Sequence, residues 1–405
     1  MTKRAALVLL EDSPSGASRK FARAAVDLEL HPVILFQGSD RVSSMIADGI
    51  DAVQADTSHI SAVIDACEQL CRSFEIVGVT TPLERLYATA ASACLHLGLP
   101  GPRPDQIEHC RNKFVQRERL TMAGIATPAY HLVKDAAAAR RWASEIGLPV
   151  VVKPVIGTSS TGVKLCCQLS EVGSHAELLL TGEPEVPPSP AVLVEEFAKG
   201  QQYCVNTIGS EIAGISAEEF GDLPHFALRG FTFPAPLASK DCERLGTAAV
   251  ASLQALGLGW GPANTEVRIT ARGPLIIEVN PRISGVPDPE MIRLAHGIDL
   301  FTETLKLFLG LQPNLAKRHS RAAAASFLMV EKDGVLRRIH GLQEARAVPG
   351  VVEVELTAEL GTTLVKHGDF RDVLGLVIAA SPSLDQARSA LQRALSLIQL
   401  SVAAD

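Results

Sequence analysis

The stretch from residue 276 to 285, IIEVNPRISG, is the feature that most constrains what this chain can fold into. Its apolar residues predict a buried β-strand, whereas Glu278 and Asn280, two positions apart, point to the same face of that strand. The strand therefore leaves the core and ends in a carboxylate and an amide, and Arg282 adds a guanidinium just beyond. This combination predicts a polar site at the end of the strand.

The residues before this strand predict a β-hairpin that brings in a second carboxylate. With a three-residue turn over 271–273 and glycine in its last position, Thr270 pairs with Pro274. Counting back along both strands then places Glu266 opposite Glu278. Two carboxylates that face each other in this way destabilise a sheet unless another charge offsets them.

A divalent cation between the two strands is the offset that fits these side chains. Glu266 and Glu278 supply hard oxygen ligands and Asn280 adds a neutral oxygen on the same face. Such a set, completed by phosphate and water, suits Mg²⁺, with Mn²⁺ as the alternative ion. The competing interpretation is that the two acids line a solvated sheet face and bind nothing.

A second motif, LPVVVKPVIGTSSTGVKLC, resembles a phosphate-binding element. A strand delivers Lys153, and a loop of small hydroxyl residues between two glycines follows, with backbone N–H groups free to surround an anion. The loop residues are Gly157, Thr158, Ser159, Ser160, Thr161 and Gly162. The loop is followed by a strand-like run and lacks the Gly-Lys-Ser/Thr ending, which excludes a P-loop. A flexible hairpin tip without a ligand is the alternative.

A third motif, AVLVEEFAKGQQY, places two acids at the end of a buried strand. Glu195 and Glu196 are followed by Phe197 and Ala198, whose backbone groups can hydrogen-bond an adenine. A carboxylate here can accept a hydrogen bond from the adenine amino group or from the ribose hydroxyls. Taken alone, the motif is more commonly a surface acidic pair.

Along the chain, short apolar strands at 5–10, 32–36 and 75–80 alternate with helical segments, which predicts a parallel sheet. Residues 200–222 are expected to form antiparallel strands, and the last part alternates strands with a final helix. The predicted fold class is α/β and α+β. The predicted divisions of the chain are 1–110, 111–199, 200–319 and 320–405.

Composition argues against two classes of partner. The formal net charge of −7 and the absence of basic runs exclude broad nucleic-acid binding, which depends on clustered Lys and Arg. The first apolar run, Ala5 to Leu10, is shorter than a signal-peptide core or a membrane span. We therefore expect a soluble, cytoplasmic protein without nucleic-acid or membrane partners, with a homodimer as the default oligomer.

The order of these motifs resembles the ATP-grasp superfamily of carboxylate–amine ligases. The motifs in order are Asn112-Lys113, Lys153 with its loop, Glu195-Glu196-Phe197, Glu266, and Glu278 to Arg282. The resemblance covers residues 1–310 as architecture. The tail, with His367-Gly-Asp and Gly375-Leu-Val, further resembles the C-terminal unit of L-amino-acid ligases.

The resemblance implies a Rossmann-like N-terminal domain, a central lid, an ATP-binding subdomain and a small C-terminal α+β unit over the four divisions. It implies that ATP lies between two antiparallel sheets. The residues implied to hold ATP are Lys113, Lys153, the loop 157–162, Glu195 to Ala198 and Gln202. The implied metal ligands are Glu266, Glu278 and Asn280. Arg282 would contact the transferred phosphoryl group and the acyl intermediate, with Ser284 and Gly285 beside the substrate.

The sequence departs from the family's pattern before the segment Phe233-Pro-Ala-Pro-Leu237. Leu228 and Phe231 occupy the places where amino-acid ligases of this type often carry Glu and His. An ordinary dipeptide product is therefore in doubt. His225 and Arg229 are the candidate replacements, suited to an anionic substrate.

The function that follows is an ATP-dependent ligase that joins a carboxylic acid, such as an amino acid, to an amine and releases ADP and phosphate. One alternative is a purine-pathway or biotin-carboxylase-like enzyme that activates formate or bicarbonate. The other is a non-catalytic ATP-binding regulatory protein. Retention of Glu266, Glu278, Asn280 and Arg282 argues against the last.

Overall fold

The computed structural model describes residues 3–11, 16–38, 45, 49–183 and 186–403, and over these residues the strands form four sheets. Two of the sheets enclose the cavity described below. The first sheet and the last one flank them in sequence.

A parallel sheet of four strands forms the N-terminal part, in the order β3-β2-β1-β4. Its strands are β1 (Arg4–Glu11), β2 (His31–Phe36), β3 (Asp51–Gln54) and β4 (Phe74–Thr80). Its helices are α1 (Gly16–Asp27), α2 (Ile60–Leu70) and α3 (Glu84–His96). The parallel sheet expected from the sequence is confirmed. The short strand β3 was not predicted, because it is only partly buried and shows no apolar run.

The second sheet has four antiparallel strands in the order β5-β8-β6-β7. They are β5 (Tyr130–Val133), β6 (Val150–Pro154), β7 (Lys164–Cys166) and β8 (Val192–Glu196). The helices of this part are α4 (Pro104–Arg111), α5 (Lys113–Met122), α6 (Ala136–Ile146) and α7 (Leu169–Thr181). Helices α6 and α7 bury one face of the sheet, so its other face and its loop are left for the cavity.

The third sheet has eight strands in the order β13-β12-β9-β10-β11-β14-β18-β16. Its strands are β9 (Gln201–Ile208), β10 (Glu211–Phe220), β11 (Leu228–Phe233), β12 (Pro262–Thr270), β13 (Gly273–Asn280), β14 (Ala322–Met329), β16 (Val351–Leu356) and β18 (Val373–Ser381). The antiparallel strands expected within 200–222 are confirmed. The sheet runs across the predicted division at 319/320, because β14 pairs with β11.

The remaining elements all lie after residue 238. A three-stranded sheet has the order β17-β15-β19. Its strands are β15 (Gly334–His340), β17 (Thr363–Leu364) and β19 (Gln399–Ala403). The helices are α8 (Ser239–Leu256), α9 (Asp288–His296), α10 (Leu300–Phe308), α11 (Leu342–Arg346) and α12 (Leu384–Leu397), with a 3₁₀ turn at Phe370–Asp372. Among the helices described, none is long and apolar enough to cross a membrane.

The hairpin of β12 and β13 reaches the predicted pairing by a different route. The predicted three-residue turn is wrong: Thr270 pairs with Gly273, which leaves a two-residue turn. A bulge between Glu266 and Val267 then gives β13 one extra residue, so that Glu266 still lies opposite Glu278. The shorter turn and the bulge therefore offset each other in the register. A bulge of this kind commonly changes the direction of side chains near a functional site.

Candidate active site

A cavity of about 300 Å³ lies between the second and third sheets and gathers most of the predicted site residues. Those lining it are Lys113, Lys153, Gly157, Thr158, Ser159, Ser160, Thr161, Glu195, Glu196, Phe197, Ala198, Gln202, Glu266, Glu278, Asn280, Arg282, Ser284 and Gly285. Gly162, His225 and Arg229 are predicted site residues that do not line it. The motifs, far apart in sequence, therefore converge on one concave surface, as ligand sites do.

The pKa values of the two paired acids are shifted in opposite directions. Lys113, the first residue of α5, donates from Nζ to Oε1 of Glu278 over 2.6 Å. Burial alone would raise the pKa of Glu278, but the ammonium groups of Lys113 and Lys153 hold that pKa below its ordinary value. Burial and the neighbouring Glu278 charge raise the pKa of Glu266 to about 7. One negative charge of the pair is thus balanced and the other is not.

The acid pair fits a divalent cation delivered with a ligand. Among the residues described, no group of three or more His, Cys, Asp and Glu side chains is arranged to hold a metal ion by itself. Glu266 and Glu278 are opposite in register, and Asn280 lines the same cavity. The elevated pKa of Glu266 is the sign of uncompensated charge that a cation would relieve. Two carboxylates and an amide oxygen suit Mg²⁺ whose other ligands are phosphate and water.

Buried charges also link the two sheets, through a residue that the sequence interpretation missed. Glu195 accepts from Arg117 Nε over 2.7 Å, and it lies 2.6 Å from the Nζ atom of Lys153. Arg117 is fully buried on α5 and donates from Nη2 to the carbonyl of Ile277 over 2.5 Å. The carboxylate of Glu195 is therefore occupied by two cations. An arginine inside an ordinary helical pattern gave no signal of this role.

The neighbouring acid and the loop before β7 complete the same wall. Glu196 is ion-paired with Arg272, with 2.5 Å between Oε1 and Nη2. In the loop, Ser159 and Ser160 both adopt positive φ, and the carbonyl of Gly157 accepts from Lys113 Nζ over 2.7 Å. Two consecutive residues in the left-handed region are uncommon when neither is glycine, and they indicate a specific backbone shape. That shape holds residues 157–161 against the cavity.

Gly162 does not line the cavity, and its contacts indicate a structural role. Its φ is +73°, and a Cβ there would lie 2.8 Å from Cδ2 of Leu179 on α7. Its carbonyl accepts from His175 Nε2 over 2.9 Å. Gly162 thus closes the loop against the helix, and its backbone conformation requires glycine.

A polar network extends from the acid pair across the eight-stranded sheet. Gln202 donates from Nε2 to Glu266 over 2.9 Å and to Glu218 over 2.8 Å, and its Oε1 accepts from Arg268 Nε over 2.9 Å. The guanidinium of Arg268 lies 5.4 to 5.8 Å from three phenyl rings, including that of Phe197. Burial and the neighbouring Glu266 raise the pKa of Glu218 well above its ordinary value. Glu218 and Arg268 line the cavity and were not predicted.

Asp288 is the centre of a buried hydrogen-bond cluster near the acid pair. It is fully buried at the start of α9 and accepts from Ser216 Oγ, from Asn206 Nδ2 over 2.6 Å, and from Cys204 Sγ over 3.2 Å. Burial raises its pKa, against these donors. Because Cys204 lies opposite Glu266 across β9 and β12, the cluster lies next to the strand that carries Glu266.

Arg282 lines the cavity and forms an ion pair with Glu84, which belongs to the N-terminal part of the chain. Its Nε donates to Glu84 Oε2 over 3.2 Å, and its Nη1 donates to the carbonyl of Ile283. Glu84 opens helix α3, where the helix dipole favours a carboxylate. Ser284 and Gly285 follow on the same loop and line the cavity.

His225 and Arg229 lie away from the cavity wall, and their predicted contact with substrate has no geometric support. Arg229 donates from Nη1 to Oε1 of Glu331 over 2.6 Å, and neither residue lines the cavity. His225 packs against Gly368. The roles of both residues stay a prediction.

Comparison with known families places the chain among ATP-dependent enzymes. Residues 146–290 match the family described as ATP-grasp domain. Residues 326–403 match the family described as L-amino acid ligase C-terminal domain 2. The first match contains the loop, the acid pair and Arg282, and the second contains β16, β18 and β19.

Among relatives, an uncharacterized protein y4rH of Sinorhizobium fredii is 42% identical over 98% of this chain and 83% of its own length. Carnosine synthase 1 of Homo sapiens is 25% identical over 78% of this chain and 42% of its own length. This chain therefore spans less than half of that synthase. A crystal structure of L-amino acid ligase from Bacillus licheniformis superimposes with a TM-score of 0.83 at 21% identity, covering 100% of both chains, and supports the fold.

Proposed function

This chain belongs to the ATP-grasp superfamily of carboxylate–amine ligases, and we propose that it activates a small carboxylic acid with ATP and joins it to an amine. It is an ADP-forming ligase of the L-amino-acid ligase type. A carboxylate is a poor electrophile, because an amine attacking it would have to expel oxide. Transfer of the γ-phosphoryl group to the acid supplies a better leaving group.

The atoms balance in two steps. A carboxylate oxygen of the acid attacks the γ-phosphorus, the bond between that phosphorus and the β–γ bridging oxygen breaks, and ADP leaves. The amine nitrogen then attacks the acyl carbon, phosphate leaves, and the nitrogen loses one proton. Catalysis of phosphoryl transfer rests on positioning and charge neutralisation more than on a covalent group.

Each group in the cavity has a place in this scheme. Lys113 and Lys153 are the cations for the phosphates of ATP, and the loop 157–161 covers them and excludes water from the acyl phosphate. Phe197 and Ala198 border the adenine, and Gln202 the ribose. Arg282 neutralises the transferred phosphoryl group and the acyl intermediate. Glu266, Glu278 and Asn280 would hold Mg²⁺, which supplies charge neutralisation at the phosphates when bound.

The observation that carries this proposal is the register of Glu266 and Glu278, which places two buried acids beside Lys113 in one cavity. The experiment incubates the protein with Mg-ATP, pools of carboxylic acids and hydroxylamine. We expect an acyl hydroxamate and ADP in equal amounts. Formation of AMP and pyrophosphate would contradict the acyl-phosphate route, and no nucleotide turnover with any pool would favour a binding protein.

The formate- and bicarbonate-activating alternative is tested in the same assay. Biotin carboxylases and purine-pathway enzymes share the fold with this chain, but the match over 326–403 is to L-amino acid ligases. ADP release that depends on bicarbonate or formate, and on no larger acid, would favour that alternative. Light scattering of the same preparation tests the predicted homodimer.

A further inference from the structure

The cavity has two ends of opposite character on the eight-stranded sheet. The charged end consists of Lys113, Lys153, Glu266, Glu278 and Arg282, which gather near strands β12 and β13. The other end, called the apolar end here, consists of lining side chains from β11, β14, β18 and the 3₁₀ turn. They are Leu228, Phe231, Phe327, Phe370 and Val373. No residue of the proposed chemistry lies in the apolar end.

The apolar end is continuous with the site of reaction but remote from it. The backbones of β11 and β12 are three strands apart, through β9 and β10, or roughly 14 Å at the usual spacing. Side chains from both strands line the cavity, so the space between the two ends is shorter than this backbone distance. The loop that carries Arg282 continues through Ser284 and Gly285 to Val286, and all of these line the cavity. A group in the apolar end is therefore the part of a substrate farthest from the reacting carboxylate.

The apolar end is also built to stay apolar. The rings of Phe231 and Phe327 meet edge to face, with centroids 6.5 Å apart and an interplanar angle of 73°. Arg229, the neighbour of Leu228 in sequence, is paired with Glu331 and so does not reach inward. Phe370 also lines the cavity, with 53% of its surface exposed.

The cavity-lining carboxylate that pairs in register with this end belongs to the polar network. Glu218 lies opposite Phe231 in register, but its Oε2 accepts from Gln202 Nε2 over 2.8 Å, towards β9 and the charged end. A charged group at the tip of a substrate would thus lie among phenyl and aliphatic side chains. It would have no ionic partner among the residues that form the apolar end. Burying such a charge unpaired costs several kcal/mol.

We propose that the activated acid is a monocarboxylate with a bulky apolar tail, alkyl or aryl, and that the tail fills the apolar end. This inference rests on the proposed ligase function. The C-terminal part of the chain supplies Phe327, Phe370 and Val373, so it sets the choice of acid, whereas the motifs that bind ATP lie before it.

Three acids of matched length test the proposal in the hydroxamate assay: heptanoate, heptanedioate and 6-aminohexanoate. They carry the same methylene chain and end in a methyl, a carboxylate and an ammonium group. We expect heptanoate to have the highest kcat/KM, by about 10²-fold over both charged acids. Equal or better use of either charged acid would overturn the proposal.

The Leu228→Lys variant locates the tail. Leu228 is only half-buried, so the lysine can be accommodated, and its ammonium would offer heptanedioate a partner. We expect the ratio of heptanedioate to heptanoate activity to rise about tenfold or more. Leu360→Lys, at a leucine that is 63% exposed, is the matched control and leaves the ratio unchanged. Unchanged selectivity in Leu228→Lys would overturn the assignment of the tail to this end.

Failure of the inference and failure of the ligase function give different results. If other acids yield hydroxamate and ADP while heptanoate does not, the ligase stands and the apolar-tail assignment falls. If no acid of any kind releases ADP, the ligase function itself falls and the inference falls with it. Thermal unfolding and Mg-ATP binding of Leu228→Lys confirm that the variant is folded.

Discussion

The charged end and the apolar end of the cavity differ in how they are assembled. At the charged end side chains are held by other charges, as Lys113 is by Glu278 and Arg282 is by Glu84, with Glu266 as the exception. At the apolar end the rings of Phe231 and Phe327 are held only by packing. Ion pairs depend strictly on the partner, whereas apolar contacts tolerate changes of shape. The comparison indicates that one end is suited to a constant ligand and the other to a variable one.

The largest effect should come from Arg282→Ala at the charged end. We expect kcat to fall about 10²–10³-fold, because a donor to developing negative charge is lost, while ATP affinity is largely kept. Initial-rate kinetics and nucleotide titration measure the two quantities. Arg103→Ala, which removes an ion-paired arginine at the surface, is the control. Equal loss of turnover and ATP affinity would mean that Arg282 binds nucleotide and does not act on the transferred group.

Removing Arg117 tests how strongly the charged end depends on its partners. Arg117→Leu leaves Glu195 with Lys153 alone and the carbonyl of Ile277 without its donor. We expect the free energy of unfolding to fall by about 3–5 kcal/mol, the usual cost of breaking a buried pair. Chemical denaturation measures the change. A loss no larger than that of Arg103→Ala would show that the buried pair contributes little.

Glu266→Gln tests the uncompensated acid, with the ligand-free protein. The folded-state pKa of Glu266, about 7, lies above its ordinary value of 4.5, so its favourable contribution is present below pH 4.5 and is lost as the pH rises through 7. We therefore expect Glu266→Gln to be more stable than the wild type above pH 7, by roughly 1–3 kcal/mol, with a smaller difference at pH 5.

The same variant should lose the stabilisation that Mg-ATP gives the wild type, because a proposed ligand of the ion is gone. Thermal unfolding with and without Mg-ATP at pH 8 measures both effects. A variant that is less stable than the wild type at every pH would contradict the view that Glu266 carries unbalanced charge. Glu68→Gln, at an exposed acid on α2, is the control.

The smallest effect should come from Phe327→Ala at the apolar end. We expect KM for an apolar acid to rise about tenfold, as for other losses of apolar contact, with kcat and ATP affinity nearly unchanged. Steady-state kinetics with heptanoate measures this. A fall in kcat comparable to that of Arg282→Ala would erase the distinction between the two ends. Leu311→Ala, at an exposed leucine, is the control.

The two ends also differ in how far the sequence could predict them. The residues of the charged end lie in local motifs, such as EVNPR and the Gly/Ser/Thr loop, whose residue types point to phosphate and metal chemistry. Arg268 and Glu218 line the same cavity but lie in ordinary strand patterns, and Arg117 lies in an ordinary helix. Their roles depend on neighbours from other strands, so no local signal marks them.

By itself, the sequence determined the alternation of strands and helices, the parallel first sheet, and the order of the ATP-site motifs. It also determined that Glu278 and Asn280 share a face, because side chains of a strand alternate with a period of two. These features are local, and short-range geometry fixes them. The facing of Glu266 and Glu278 was reached from the sequence as well, although through a wrong turn that a bulge offsets.

Only the tertiary structure decided which distant residues meet. Lys113 and Glu278 are 165 positions apart, and Phe231 meets Phe327 because β14 joins the edge of β11. The order of strands in a sheet is set by packing over the whole chain, since many orders satisfy the same local pattern. The order of strands in the sheet therefore brings together the residues of the apolar end. It also brings the residues of the charged end close to their partners.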